Sequence, residues 1–201
     1  MSVRHRTASV ELEGRILDAA LQLLGEKGLE ALTVRGIAMR ANVAPMGIYN
    51  HFDGKMGVYE ALWVDGFDHL TETMQGSGES EDPLEDLIAC GHSYRRFALD
   101  HPAHYRLMFL DQVDEFTPSP EAASASGRAL QILINRVEYA QRSGHFPAGR
   151  AINYAQAIWA TVHGYVSLEL LRANFSTDAD ATFDALLRAM YEGFRRLGVG
   201  A

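Results

Sequence analysis

Apolar residues recur every three or four positions along most of the chain, which is the spacing of amphipathic helices. About nine helices are predicted, and no stretch alternates with the two-residue period of a strand. The first should run over 9–27, where Gly28 is suited to end it. The eighth, at 148–173, is apolar around most of its circumference and therefore needs cover on more than one side. The pattern predicts an all-α fold.

Two short helices separated by a tight turn are predicted at 33–41 and 44–52. Thr33 is a favourable N-cap for the first helix, and Asn42 tolerates the left-handed conformation of a turn. Pro45 fits the first turn of the second helix, where a missing N–H does no harm. Such a pair can lay its second helix in a DNA major groove, so we predict a helix-turn-helix.

The distribution of charge fits this hypothesis better than the net charge of −8 does. Residues 1–55 carry seven Lys/Arg and six Asp/Glu, whereas the remainder carries eleven and twenty. The acidic excess therefore lies outside the part expected to meet phosphate.

The outward positions of the second short helix suit contact with DNA. Asn50 can pair with adenine, and Met46 can pack on a thymine methyl. Tyr49, His51 and Lys55 have donors that suit phosphate oxygens. The residues predicted to bind DNA are Thr33, Arg35, Ala44, Pro45, Met46, Tyr49, Asn50, His51 and Lys55.

One sequence family shows the same residues in the same order over roughly 10–60. The matching residues are Leu32-Thr33, Ile37-Ala38, Ala41-Asn42-Val43, Gly47-Ile48-Tyr49, His51-Phe52 and Lys55. They resemble the DNA-binding region of the TetR (tetracycline-repressor-like) family of bacterial transcription regulators. The resemblance implies that DNA is contacted by the residues at seven of the positions above: Arg35, Pro45, Met46, Tyr49, Asn50, His51 and Lys55. The chain departs from the family at Asn42, where Gly is usual, and at Gly54, where a polar residue is commoner.

A second resemblance covers part of the remaining chain. The stretch from Tyr94-Arg95-Arg96-Phe97-Ala98 to Phe109, together with Trp159-Ala160-Thr161-Val162-His163-Gly164, resembles the C-terminal domain of the TetR branch named for its Trp-His-Gly motif. It implies that helices eight and nine pair with their copies in a twofold dimer. Residues expected to be divided between core and dimer interface are Trp159, Val162, His163, Tyr165, Val166, Phe183, Leu187 and Met190.

Three parts of the chain are predicted. Residues 1–55 form the TetR-like helix-turn-helix DNA-binding domain, and 56–80 form helix four, capped by Asp53, with a Gly/Ser-rich linker. Residues 81–201 form a helical regulatory and dimerisation domain, which begins with a strong helix-start signal at Asp82-Pro83-Leu84-Glu85. Its next helices are expected at 102–110 and 127–142, with a loop over 111–126.

An apolar pocket for a small-molecule effector is predicted in the helical bundle, with ordinary core packing as the alternative for each residue. Its candidate lining is His92, Phe97, Tyr105, Met108, Phe109, Tyr139, Trp159 and His163. His101 and His104 lie near Cys90 and His92 in the sequence, but their spacing matches no zinc pattern. We expect no metal and no cofactor.

These patterns are interpreted as a homodimeric, ligand-responsive transcription regulator that represses through a palindromic operator in double-stranded DNA. One lone cysteine, no signal-peptide core and no membrane span indicate the bacterial cytoplasm. An adaptor of the same fold that binds a protein partner is one alternative. A helical-bundle enzyme is another, but no catalytic constellation is evident, so we expect no enzyme.

Overall fold

The computed structural model describes residues 3–78, 80–111, 113 and 116–197, with side chains from residue 9 onward. These ranges contain nine α-helices, one 3-10 turn (Leu29–Ala31) and no strand, so the prediction of an all-α fold is confirmed. The helices are α1 (Val3–Lys27), α2 (Val34–Ala41), α3 (Pro45–Phe52), α4 (Lys55–Gln75), α5 (Pro83–Asp100), α6 (Pro102–Phe109), α7 (Pro120–Arg142), α8 (Ala151–Leu170) and α9 (Ala179–Leu197).

Several helix ends differ from the sequence-based prediction. Helix α1 already begins at Val3, and α7 begins at Pro120, seven residues before the expected start. The cause in α7 is a cap that the hydrophobic period does not show, because Ser119 Oγ accepts a hydrogen bond from Ala122 N at 3.2 Å. With proline in the first turn and small helix-forming residues after it, residues 120–126 are helical instead of a loop.

Asp53 ends α3 and does not cap α4, contrary to the prediction. Its backbone has φ 54° and ψ 40°, the left-handed conformation of a helix C-cap, and its N–H donates to the Tyr49 carbonyl. Helix α5 does begin as predicted, since Asp82 Oδ1 accepts a hydrogen bond from Leu84 N at 2.9 Å.

The contacts between residues divide the chain into two compact units. The first unit combines Met1–Phe67 with His101–Ser124, and the second combines Asp68–Asp100 with Ala125–Ala201. The first unit thus holds α1 to α3, most of α4, α6 and the start of α7. The division into 1–55, 56–80 and 81–201 remains a prediction about function.

In the first unit, the apolar faces of α1, α2 and α3 form one core around Ile16, Ile37 and Ile48, which are fully buried. Helix α6 packs on α1 and is also tied to α4. The Tyr59 hydroxyl donates to the Leu107 carbonyl at 3.0 Å, and it is buried. A segment distant in sequence therefore completes the core of the helix-turn-helix unit.

The second unit is built around α5. The Tyr191 hydroxyl of α9 donates to the Leu87 carbonyl at 3.1 Å, and Leu187 packs where Gly91 leaves room for it. Cys90 is buried on the same helix, and burial raises the pKa of its thiol to about 11. The thiol therefore stays protonated and acts as a small apolar group.

A buried arginine on α7 holds the loop between α4 and α5. Arg136 donates to the Met74 carbonyl at the end of α4, to the Gly78 carbonyl and to Ser77 Oγ, at 3.1, 3.1 and 2.8 Å. A cation beside the last carbonyls of a helix is favourable because these groups have no intrahelical partner. The Gly/Ser-rich linker is thereby fixed to the second unit.

Arg95 joins three helical segments of the second unit. It donates to both carboxylate oxygens of Glu169 on α8, each at 2.7 Å, and to Asp180 in α9 at 2.6 Å. Its guanidinium also lies 5.3 Å from the centre of the Phe183 ring. The Glu169 carboxylate is the largest cause of the raised pKa of Arg95.

None of the helices in the described ranges has the length and apolarity that spanning a bilayer requires.

We predict that Arg95→Met lowers the free energy of unfolding by on the order of 2–3 kcal/mol, because Glu169 would keep its charge while 17% exposed. Urea denaturation measures this change. Arg188→Met is the matched control, because Arg188 also binds two carboxylates, Glu85 and Asp184, but at a half-exposed site. A loss in Arg188→Met as large as in Arg95→Met would contradict the assignment.

Candidate nucleic-acid interface

The first helix of the predicted pair begins at a side-chain cap. Thr33 has extended backbone angles, and its Oγ1 accepts a hydrogen bond from Gly36 N at 3.0 Å. Ile37, Ala38 and Ala41 form the buried face of α2. The cap and the apolar face are both as the sequence predicts.

The turn after α2 is closed by two residues. Asn42 has φ 54° and ψ 52°, so this asparagine does adopt the left-handed conformation usually taken by glycine. Arg15 on α1 donates from Nη2 to the Ala41 carbonyl at 2.8 Å. Sequence reasoning missed Arg15, because nothing in the local pattern connects residues 26 positions apart.

Helix α3 buries Ile48 completely and turns its other side to solvent. Two large apolar side chains are exposed there, Met46 to 65% and Tyr49 to 54%. Ala44, Pro45 and Asn50 share this exposed surface. An amide can hydrogen-bond to a base edge, and apolar side chains can pack on thymine methyls. Exposure to solvent alone gives no reason for large apolar side chains at these positions, so this side of α3 suits contact with DNA bases.

The residues predicted to contact phosphate lie around the same helix. Thr33 and Arg35 are exposed at the start of α2, whereas His51 and Lys55 are partly buried at the α3–α4 corner. His51 Nδ1 lies 2.9 Å from Glu13 Oε1 on α1. Nothing in the local sequence around either residue indicates the contact between His51 and Glu13. Together with the exposed side of α3, these side chains form what we call the α3 surface: 33, 35, 44–46, 49–51 and 55.

Arg40 is a cation near this surface with a different role. It pairs with Glu26 of α1 and also donates to Gln22 Oε1 at 3.3 Å. The hydrogen bond from Arg40 lowers the pKa of the Glu26 carboxyl. Arg40 therefore connects α2 to α1.

The corner between α3 and α4 requires glycine. A Cβ added to Gly57 would overlap the carbonyl oxygen of Phe52, whereas Gly54 has φ +89°. The backbone of α4 therefore approaches the end of α3 more closely than any side chain allows. Sequence reasoning did not single out Gly57, because a glycine inside a helical pattern does not show what lies beside it.

The predicted effector residues lie in both units. Tyr105, Met108 and Phe109 belong to the first unit, where the Tyr105 and Phe109 rings are 5.0 Å apart. Tyr105 and Met108 are buried there.

The other five effector residues belong to the second unit and lie in more than one place. His163 Nδ1 and the Trp159 indole N–H both contact the hydroxyl of Tyr94, at 3.0 and 3.3 Å. Burial lowers the pKa of His163.

The remaining effector candidates of the second unit lie apart from the Tyr94 hydroxyl contacts. His92 lies 3.2 Å from Asp184, and the Tyr139 hydroxyl donates to the carbonyls of residues 80 and 81. Phe97 is a core residue.

The residues expected in a dimer interface are also divided. Four of them are buried within the single chain and support α8 and α9 from inside: Val162, Val166, Phe183 and Leu187. Trp159, His163, Tyr165 and Met190 are partly exposed.

The outer faces of α8 and α9 each include several small residues among larger polar and charged ones. On α8 the exposed residues include Ala157, Ala160, Gly164 and Leu168. On α9 small exposed residues follow each other at four-residue spacing: Ala181, Ala185, Ala189 and Gly193. Small side chains let another helix approach closely. The rows of small exposed residues are therefore better placed to pack against the helices of a second chain than the four buried residues are.

Comparison with known proteins identifies two matching regions. The family model described as bacterial regulatory proteins, tetR family, matches residues 16–62, and the model of the tetracyclin repressor-like C-terminal domain matches residues 87–190. The second match alone covers more than half of the chain.

Three similar proteins agree with these matches. The uncharacterized HTH-type transcriptional regulator Rv0681 of Mycobacterium tuberculosis is 24% identical, over 90% of this chain and 80% of that protein. The biofilm operon icaADBC negative transcriptional regulator IcaR of Staphylococcus aureus is 36% identical over 77 residues, 38% of this chain and 41% of IcaR. The solved structure of the TetR family regulator PfmR from Thermus thermophilus is 20% identical with TM-score 0.71, covering 89% of this chain and 97% of that one.

We predict that Gly57→Ala markedly lowers the melting temperature and weakens DNA binding, because the added methyl would push α4 away from the Phe52 carbonyl. Thermal denaturation by circular dichroism measures the first effect. Gly14→Ala is the control, since nothing lies within 4 Å of a Cβ there and alanine favours a helix by about 1 kcal/mol. Equal melting temperatures for both variants would refute the close approach.

Proposed function

Because the chain belongs to the TetR family of bacterial regulatory proteins and is a DNA-binding transcription regulator, we propose that it represses genes by inserting α3 into the major groove of an operator. The exposed apolar side of α3, with Met46 and Tyr49 in solvent, is the observation that carries this proposal. IcaR, which matches part of the chain, is named a negative regulator, and this supports repression. We place the protein in the cytoplasm, where the DNA is, and assign it no enzymatic activity.

The α3 surface divides by chemistry into two sets of contacts. Asn50 is assigned to an adenine edge, and Ala44, Pro45 and Met46 to apolar contacts such as thymine methyls. The groups assigned to phosphate oxygens are Thr33, Tyr49, His51 and Lys55, and Arg35 is assigned to guanine or phosphate. Base contacts then select the sequence, and phosphate contacts fix the register.

The regulator is proposed to act as a homodimer through α8 and α9. The exposed small residues of these helices, including Ala160, Gly164 and Ala185, support this arrangement. A twofold dimer presents two copies of α3, which fits a palindromic operator with half-sites about 34–36 Å apart.

We also propose that the C-terminal domain belongs to the Trp-His-Gly branch and that the second unit binds a small-molecule effector. Trp159 and His163 of that motif share Tyr94 as a hydrogen-bond partner, so a polar, orienting group already lies among apolar side chains. The chain passes from one unit to the other within α4, and a shift of α4 on effector binding would change the spacing of the two α3 helices. Equal operator affinity of free and effector-saturated protein would refute this mechanism.

We predict different effects for two substitutions on the α3 surface. Lys55→Ala should weaken binding to all duplexes alike and lower the salt slope by about one per protomer, because a phosphate contact is lost. Asn50→Ala should cost about 1–3 kcal/mol only on the selected operator. Fluorescence anisotropy with an operator selected from genomic fragments, and with an unrelated duplex, measures both.

Lys27→Ala is the control for these two variants, since it removes the same charge from the exposed end of α1. Equal, weak binding of the unsubstituted protein to both duplexes, even after the selection, would refute the proposed operator function and favour an adaptor.

We predict that Ala160→Arg converts the dimer of 22.2-kDa chains to monomers, because a long charged side chain would separate the α8 faces. Sedimentation velocity measures the mass. Gln131→Arg, on the exposed face of α7, should leave the dimer unchanged. An intact dimer in Ala160→Arg would exclude this face from the interface.

A further inference from the structure

We propose that Glu13 is a positioning residue for DNA binding. It holds His51 in a form that can contact a phosphate oxygen only after the imidazole has taken up a proton, so that operator binding consumes protons. This inference rests on the proposed assignment of His51 to a DNA phosphate.

The contact joins α1 to the end of α3. Glu13 Oε1 lies 2.9 Å from His51 Nδ1, and Ser9 Oγ donates to the same oxygen at 3.1 Å. The Ser9 hydroxyl thus helps to hold the Glu13 carboxylate in place, and the carboxylate in turn holds the His51 ring. The His51 side chain is 20% exposed and that of Glu13 is 40% exposed, so the pair lies at the edge of the α3 surface.

The chemistry of the donors determines which nitrogen carries the proton. An ionised carboxylate can only accept hydrogen bonds, so Nδ1 of His51 must be the donor to Glu13. In the neutral imidazole Nε2 then carries no hydrogen. Nε2 makes no hydrogen bond with any residue that the structure describes, and it is the ring nitrogen left for a ligand.

A phosphate oxygen is also only an acceptor. It can bind Nε2 only if Nε2 carries a hydrogen, and with Nδ1 already donating to Glu13 the ring must then be an imidazolium. The cation would lie between two anions, the Glu13 carboxylate and the phosphate. Each protomer that makes this contact therefore takes up as much as one proton from solution.

Several of the other charged groups near α3 have partners of their own. The charged side chains described on α1, α2, the α3–α4 turn and the first-unit part of α4 are Glu11, Glu13, Arg15, Asp18, Glu26, Lys27, Arg35, Arg40, Asp53, Lys55, Glu60 and Asp65. Arg15 donates to the Ala41 carbonyl, Arg40 pairs with Glu26, and Glu60 accepts from Ser119 N. Asp65 lies 2.9 Å from His104. Within the described residues, the carboxylate bound to the ring is that of Glu13.

Two measurements test the proposal. The first is nitrogen NMR of the histidine rings in the free protein at pH 8, where His51 should show a proton on Nδ1 and none on Nε2. The second is operator binding by fluorescence anisotropy between pH 6 and pH 8 at fixed salt. As the pH rises, the association constant for the operator should fall by up to about tenfold per pH unit for each proton that binding takes up.

Three variants separate the role of Glu13 from general effects. His51→Gln places an amide donor near the Nε2 position but has no group that takes up a proton there. Operator binding by this variant should therefore lose the part of its pH dependence that comes from proton uptake by His51. Glu13→Gln can still accept from Nδ1 but cannot stabilise the cation, so it should bind more weakly than Glu11→Gln at pH 6 and equally well at pH 8. Glu11→Gln removes the same charge from an exposed position on the same helix.

The outcomes are distinguishable. A proton on Nε2 in the free protein, or the same pH slope in His51→Gln as in the unsubstituted protein, would overturn the inference while leaving the regulator function intact. If no genomic fragment bound selectively at any pH, the proposed operator function would fail and this inference with it.

Discussion

Helix α3 has eight residues, and a helix this short does not hold its shape in water without tertiary contacts. Its position depends on one fully buried side chain, Ile48, and on contacts at both ends. At the turn before it, Arg15 holds the Ala41 carbonyl, and at its own end Glu13 holds His51 while Gly57 lets α4 pass close by. Helix α1 supplies two of these three contacts. The α3 surface is therefore shaped largely by a helix that does not form part of it.

The second unit uses buried charge for a similar purpose. Arg95 and Arg136 each bring together chain segments more than fifty residues apart, and each is matched by several acceptors. A buried cation with missing partners is strongly unfavourable, so such groups allow few alternative arrangements of the helices around them. Exposed pairs such as Arg142 and Glu138 carry no such requirement, because water can replace either partner.

Much of the fold followed from local patterns in the sequence. The period of apolar residues and the caps at Thr33 and Asp82 were enough to place the helix-turn-helix and the start of α5, since these features act over a few residues. The early start of α7 was missed because a serine cap and a proline do not change the hydrophobic period.

Long-range relations were not accessible in this way. Periodicity shows that a face of α8 is apolar but not whether its own chain or another covers it, so it does not distinguish the buried Val162 from the partly exposed Trp159. The pairing of His51 with Glu13 joins residues 38 positions apart and left no sign in either local sequence. The candidate effector residues share a chemistry that suits a pocket, but chemistry carries no information on position, and the fold distributes them over two units.

The first unit is discontinuous in the chain, since residues 101–124 return to it after a stretch that belongs to the second unit. The Tyr59 hydroxyl has its acceptor on α6, and its ring lies 4.7 Å from that of Phe116. A recombination event that exchanged only the first eighty residues between two such regulators would separate Tyr59 from both neighbours. The unit that contains α3 therefore cannot be exchanged intact through a single junction in the chain. Substitutions on the α3 surface would change operator preference more readily than the exchange of whole chain segments would.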